Sequence, residues 1–282
     1  MSVQCLGIYR EQRFSPGSHA AGDAAILEAT QAVLEQAGYR TQLVAPERLP
    51  ALAPSAPVVF SMCQSLEALA VLDTWAQQGV LVINRPAAVR ACYRLALVTA
   101  LAPTTLPFPR SLVVPLDETA SLEALLAGCP SNSTGWWVKR GDVHAMQADD
   151  VVFVPDTASL PGHLIRLRQR GLRHAVLQEH LHGSELKFYA VRDHGIVHVL
   201  APHAAALPAF DMAQLHALAE QASAVLGLEI YGGDCLVLAD GSLALIDIND
   251  WPSFRTCRPV AAAAIARYIL TQAQQRGLLS RS

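Results

Sequence analysis

Apolar and polar positions along the chain change period repeatedly, and each change marks an element. Val3–Tyr9 is an apolar run of strand length. After a polar loop, Asp23–Gln36 carries apolar residues at helical spacing, with Asp23 as the expected cap and Gly38 as the stop. Arg40–Val44, Val58–Ser61 and Val80–Asn84 read as further strands, and Ser65–Gln78 as the helix between the last two. Strands alternating with helices in this way predict a small parallel sheet with helices on its faces.

The proline cluster Pro103, Pro107, Pro109 and Pro115 breaks helix and marks a boundary near residue 104. Beyond it, Arg110–Val114, Ser121–Ala127, Trp136–Arg140, Asp150–Val154, Gly162–Gly171 and Ala175–His180 read as strand, helix, strand, strand, helix, strand. Leu186–Val191 and Ile196–Pro202 form a hairpin around Asp193-His194-Gly195. Asp211–Leu226 is a helix stopped by Gly227, and Pro259–Arg276 is an Ala-rich final helix. The pattern is that of an α/β protein built from α+β modules, the first of them over 1–103.

One hairpin carries candidate chemistry. Cys235–Leu238 and Leu243–Ile248 are strand-like runs flanking Asp240-Gly241, a dipeptide that tolerates positive φ. With a two-residue turn there, Leu238 faces Leu243, Leu236 faces Leu245 and Asp234 faces Asp247. Like charges directly opposite repel, so such a pair is expected to protonate or to bind a cation. Asn249 projects from the same face as Asp247, and two carboxylates with one amide suit Mg²⁺ or Mn²⁺.

Composition narrows the function classes. With 282 residues, 52% of them hydrophobic, the chain is long enough for two or three packed modules. A net charge of −3 gives no electrostatic case for nucleic acid or an anionic membrane. There is no apolar run of membrane-spanning length and no signal-peptide pattern at the start, so a cytoplasmic location is expected. The six cysteines lack metal or disulfide spacing. Of the 21 basic residues only Lys139 and Lys187 are Lys, which singles out two positions that keep a compact ammonium.

At the acids Asp234 and Asp247-Ile248-Asn249, at Trp136-Trp137-Val138-Lys139 and at Gln178-Glu179-His180-Leu181-His182-Gly183-Ser184-Glu185-Leu186-Lys187, the chain resembles the ATP-grasp superfamily. The Asp-Ile-Asn form, followed by Asp250-Trp251-Pro252-Ser253-Phe254, is similar to the inositol trisphosphate kinase branch. The resemblance implies an ATP-grasp fold with an N-terminal parallel-sheet domain, a lid subdomain at 104–180 and a metal-binding subdomain at 181–282. It implies ATP and Mg²⁺ (or Mn²⁺) as cofactors, with Asp234, Asp247 and Asn249 on the metal and Lys139 and Lys187 on the phosphates. Gln178, Glu179 and Leu181 fall at the hinge that meets adenine, Glu185 at the ribose, and His144 is a candidate phosphate donor in the short loop after Lys139. Where many members carry a lysine after the first domain, Arg94 is the nearest basic residue.

Arg10 and Arg13, in the loop after the first strand, and Arg255 and Arg258, after the metal strand, are candidate groups for a small-molecule substrate. Arg255, Arg258 and Lys139 are the candidate catalytic set, since cations beside a transferring phosphoryl group neutralise developing charge. Three activities stay open: a ligase activating a carboxylate, a kinase phosphorylating a hydroxyl, and a nucleotide-binding protein without turnover. Nothing in the sequence indicates an oligomer.

Overall fold

The computed structural model describes residues 4–15, 19–54, 56–117, 134–143, 145–202 and 207–279. The first sheet comprises β1 (Cys5–Ile8), β2 (Thr41–Val44), β3 (Val58–Ser61) and β4 (Leu81–Ile83), all parallel in the order β2-β1-β3-β4. Helices α1 (His19–Gln36) and α2 (Leu66–Gln77) connect them. Helix α1 begins four residues before the expected cap. Asp23 lies inside it and takes part in a tertiary network instead, accepting from Ser15 Oγ and pairing with Arg10. Helix α2 is capped by the residue that opens the expected helical stretch, Ser65 Oγ accepting from Ala68 N at 3.1 Å. Glu11 adds a carboxylate at the same helix start, accepting from the Gln64 and Ser65 amides at 2.9 and 3.0 Å.

Two short helices follow, α3 (Pro86–Ala91) and α4 (Arg94–Leu101). The second sheet has the order β5-β8-β6-β7, with β5 (Ser111–Pro115), β6 (Trp136–Arg140), β7 (Val151–Val154), helix α5 (Leu160–Gln169) and β8 (His174–Glu179). All its pairings are antiparallel. The helix expected at Ser121–Ala127 lies outside the described residues. Trp136, Val138, Ala175 and Leu177 turn to one face, where they pack on Leu160, Leu164 and Leu167 of α5. By the strand period of two, Trp137 and Lys139 turn to the other.

The third sheet is β10-β9-β11-β12, with β9 (Ser184–Val191), β10 (Gly195–Leu200), helix α6 (Met212–Leu226), β11 (Ile230–Val237) and β12 (Leu243–Asp250). Helix α6 has the expected ends: Asp211 caps its start through Ala213 N at 2.8 Å, and Gly227 follows it at φ 75°. One face of this sheet, with Leu186, Phe188, Cys235, Leu243, Leu245 and Ile248, packs on α6 and on Leu97 and Leu101 of α4. The final helix α7 (Arg258–Gln275) packs against α1, and its Ala261, Ile265 and Ile269 share a core with Ile26, Leu34 and Phe60.

Packing thus crosses the divisions expected at 103/104 and 180/181, because α4 serves the third sheet and α7 serves the first. Asn84, just beyond β4, joins them further. Its amide accepts from Glu229 N and Ile230 N at 2.9 and 2.8 Å and donates to Ile230 O at 2.7 Å.

The β11–β12 hairpin corrects one expectation. Val237 pairs with Leu243 and Leu236 with Ala244, one residue off the two-residue-turn register. The loop has three residues, with a Gly241 N to Leu238 O bond at 3.0 Å and Gly241 at φ 82°, the usual chemistry of such a loop. A bulge then falls between Cys235 and Asp234, leaving Ile246 as the extra residue, and restores the pairing of Asp234 with Asp247. The two offsets cancel at the acids.

Candidate active site

Between the second and third sheets lies a cleft of about 550 Å³. Lys139, Gln178 and Glu179 line it from the second sheet, Leu181 from the connection to β9, and Glu185, Leu236 and Ile246 from the third. The structure therefore gathers five sequence-predicted residues, Lys139, Gln178, Glu179, Leu181 and Glu185, into one cavity with apolar walls and few polar groups, the usual make-up of a small-molecule site.

Lys139 is buried and donates to Gln178 Oε1 at 2.6 Å. Burial and the nearby Arg94 guanidinium pull its ammonium down to about 8, although Asp247 and Asp234 hold charge in its favour. A lysine so placed is pre-desolvated for an anion.

The acids adjoin this cleft, Asp247 directly after the lining Ile246 and Asp234 two residues before the lining Leu236, and both act on the Lys139 charge. Asp234 faces Asp247 across β11 and β12 and faces Lys187 across β11 and β9, with which it forms an ion pair. Asp247 is paired with Arg94, Nη1 to Oδ1 at 3.0 Å, and the same oxygen accepts from Ile248 N at 3.0 Å. Lys187 and Arg94 supply counter-charge to these facing acids. Burial raises the Asp234 carboxyl above its ordinary value, against Lys187 and with the help of the Asp247 charge. Burial works the same way on Asp247, yet Arg94 and Lys139 overcome it and its carboxyl sits below the usual range.

Asn249 lies two residues beyond Asp247 and opposite Gly232. Two carboxylates and an amide oxygen form a hard donor set that fits Mg²⁺, a cation held in many sites by one or two carboxylates together with substrate phosphates. Among the described residues no group of three His, Cys, Asp or Glu side chains converges as a metal cage. The fit therefore depends on the Asn249 amide, on phosphate oxygens and on displacement of the paired cations.

The remaining candidates are spread more widely. Arg10 is half-buried and committed, donating to Trp251 O at 2.7 Å and pairing with Asp23 at 3.3 Å. Arg13 is 61% exposed and pairs with Glu67 at 3.0 Å, so the structure does not bring it to the cleft. Arg255 is exposed on the loop leaving β12, and Arg258 opens α7 with its Nε buried and without a hydrogen-bond partner among the described residues. That loop is fixed by two fully buried aromatic rings at positive φ. Trp251 (φ 38°) stacks on Phe60, and Phe254 (φ 47°) packs on Tyr189. His144 lies outside the described residues.

Two side chains with clear structural parts were missed as site residues from the sequence. Arg94, only 5% exposed at the start of α4, showed itself just as a basic residue where a lysine was sought. Asp150 is fully buried and gathers Arg140 Nη1 at 2.9 Å, Arg170, Met146 N at 2.7 Å and Gln147 N at 3.0 Å. It thereby ties both ends of the loop that follows Lys139. That loop rests on α4, where Arg94 N donates to Asp142 O and Leu95 N to Gly141 O. The two arginines lie 10 residues before and 20 residues after Asp150, so no local spacing signalled this clasp.

This arrangement of three sheets, with a nucleotide-sized cleft between two antiparallel ones and acids beside it, is the ATP-grasp fold. The solved structures that resemble it include a RimK-domain ATP-grasp protein from Sphaerobacter thermophilus, with a TM-score of 0.70 and 20% identity over 94% of this chain and 99% of the other. The D-alanine–D-alanine ligase of Bacillus anthracis, solved with ATP, matches with a TM-score of 0.75 and 13% identity over 98% and 99%. The ATP-grasp ligase PsnB, complexed with a minimal precursor, Mg and ADP, matches with a TM-score of 0.67 and 17% identity over 96% and 98%. No family model and no curated protein matches the chain by sequence. Among the described residues no helix is long and apolar enough to cross a membrane.

Proposed function

We propose that the chain is a Mg-ATP-dependent ligase that activates a small-molecule carboxylate as an acyl phosphate. The observation that carries this is the charge row Lys187, Asp234, Asp247, Arg94 beside a cleft that holds Lys139 and Glu185. Phosphoryl transfer asks a protein mainly for positioning and charge, and these residues supply both.

In this reading adenine meets the backbone around Glu179 and Leu181, Glu185 holds the ribose, and Lys139 and Lys187 hold the phosphates. Asp234, Asp247 and Asn249 hold Mg²⁺, which when bound spreads the charge of the β- and γ-phosphates. A substrate carboxylate oxygen attacks the γ-phosphorus and ADP leaves. An amine or other nucleophile then attacks the acyl carbon and phosphate leaves. Arg255 and Arg258 neutralise the acceptor and the developing charge, and the unpartnered Nε of Arg258 is a donor available for that work. Residues 104–180 act as the lid over the nucleotide, and 181–282 carry the metal set.

Ligase is favoured over kinase because PsnB and the D-alanine enzyme are themselves named as ligases. The test is hydroxylamine trapping with ATP and a panel of carboxylates. The expected product is an acyl hydroxamate formed with ADP. A phosphorylated alcohol formed without amine would make the protein a kinase, and Mg-ATP binding with no ADP from any metabolite pool would make it a non-catalytic binder.

A further inference from the structure

Four charged side chains stand in one row beside the cleft. Lys187 on β9 pairs with Asp234 on β11, Asp234 faces Asp247 on β12, and Arg94 closes the row from α4. The order of signs is plus, minus, minus, plus. Two cations balance two carboxylates, so the row is electroneutral as it stands. A bare divalent ion would leave it with two excess positive charges. A divalent ion carrying a nucleoside triphosphate brings its own anions, and the excess disappears.

Arg94 is built to change partners. Its backbone is fixed, since its amide donates to Asp142 O at 3.2 Å, while its guanidinium offers a buried Nε without a partner among the described residues. A guanidinium is weakly hydrated and its fork suits phosphate as well as carboxylate. Lys187, a point charge on a flexible stem, has the same freedom at its head group.

We propose that Arg94 and Lys187 are placeholder cations. They neutralise Asp247 and Asp234 while the cleft is empty and pass to the phosphates when a metal–nucleotide complex enters, so metal and nucleotide bind only together. The inference rests on the nucleotide-dependent reading above and adds to it the order of binding and the residues that impose it.

The test is Mn²⁺ titration of the nucleotide-free full chain, read by electron paramagnetic resonance, and repeated with ADP present. Wild-type protein is expected to show site-bound Mn²⁺ only with ADP. In Arg94→Gln, and separately in Lys187→Gln, Mn²⁺ affinity without nucleotide should rise tenfold or more. ADP affinity measured in chelator should fall tenfold or more in the same variants. Opposite signs in one protein are not produced by loosening or partial unfolding. Adding Asp247→Asn to Arg94→Gln should remove the gained Mn²⁺ site. Wild-type protein that binds Mn²⁺ alone as tightly as the variants would overturn the proposal, as would variants that lose both ligands. No Mn²⁺ uptake by wild type even with ADP would instead overturn the nucleotide reading itself.

Discussion

Arg94 and Asp247 are 153 residues apart in the chain and 3.0 Å apart in the fold. The contact joins α4 to β12 beside the cleft, and α4 also receives the loop after Lys139 on its first amides. One arginine thus links three parts of the molecule. Removing one member of a buried pair leaves the other charge uncompensated, which typically costs about 3 kcal/mol or more. Arg94→Ala should lower the stability seen in urea denaturation by roughly that amount, and a double-mutant cycle with Asp247→Asn should return a coupling of about 1–3 kcal/mol. Additive single effects would dissociate the two residues.

Lys139 predicts a pH dependence of nucleotide binding. Its ammonium, pulled down to about 8 by burial and Arg94, is charged below that value and neutral above it. ATP affinity should be full near pH 7 and fall as pH rises through about 8, as read by calorimetry between pH 6.5 and 9.5. In Lys139→Arg the side chain keeps its charge throughout, so that fall should vanish.

The Asp150 clasp predicts an acid-sensitive loop. Burial disfavours its charge, but Arg170, Arg140 and the Met146 amide outweigh this and hold the carboxyl down to about 2. A carboxyl lowered in the folded state stabilises above the unfolded value near 3.9 and loses that contribution as pH falls toward 2. Asp150→Asn should therefore be less stable than wild type at pH 7 by about 3 kcal/mol, with the gap closing between pH 4 and 2. Denaturant unfolding at a series of pH values measures it. The same variant should raise KM for ATP with a smaller change in kcat.

Gly233 predicts a strict size limit beside the acids. A Cβ there would stand 2.5 Å from the Phe188 ring and 2.9 Å from Asp247 O. Gly233→Ala must shift the ring or the strand that carries Asp247, at a cost of about 1–3 kcal/mol. Thermal unfolding should report the loss, and ATP affinity should drop with it. Unchanged affinity in the folded variant would mean that Asp247 can move without consequence.

Much of the architecture could be read along the chain because the local rules agree there. Ser65 and Asp211 cap the helices they open, Gly227 ends one, and alternation in β9 turns Leu186 and Phe188 inward while Glu185 lines the cleft and Lys187 reaches Asp234. The facing acids were also legible, though through a wrong turn, since the three-residue loop and the bulge at Ile246 offset each other. Side chains whose partners lie far off in sequence were not legible. Arg94 finds Asp247, Asp23 gives up a cap to join Arg10, and Arg13 turns to Glu67, none of which periodicity encodes.

The packing of α7 on α1 has a consequence for biosynthesis. Ile26, Leu34 and Phe60 leave the ribosome long before Ala261, Ile265 and Ile269, which cover them. Until α7 has been made, the first sheet keeps an open greasy flank that invites chaperones or self-association. A nascent chain stalled before residue 258 should therefore be recovered bound to holdases, whereas one extended through α7 and released should be free of them.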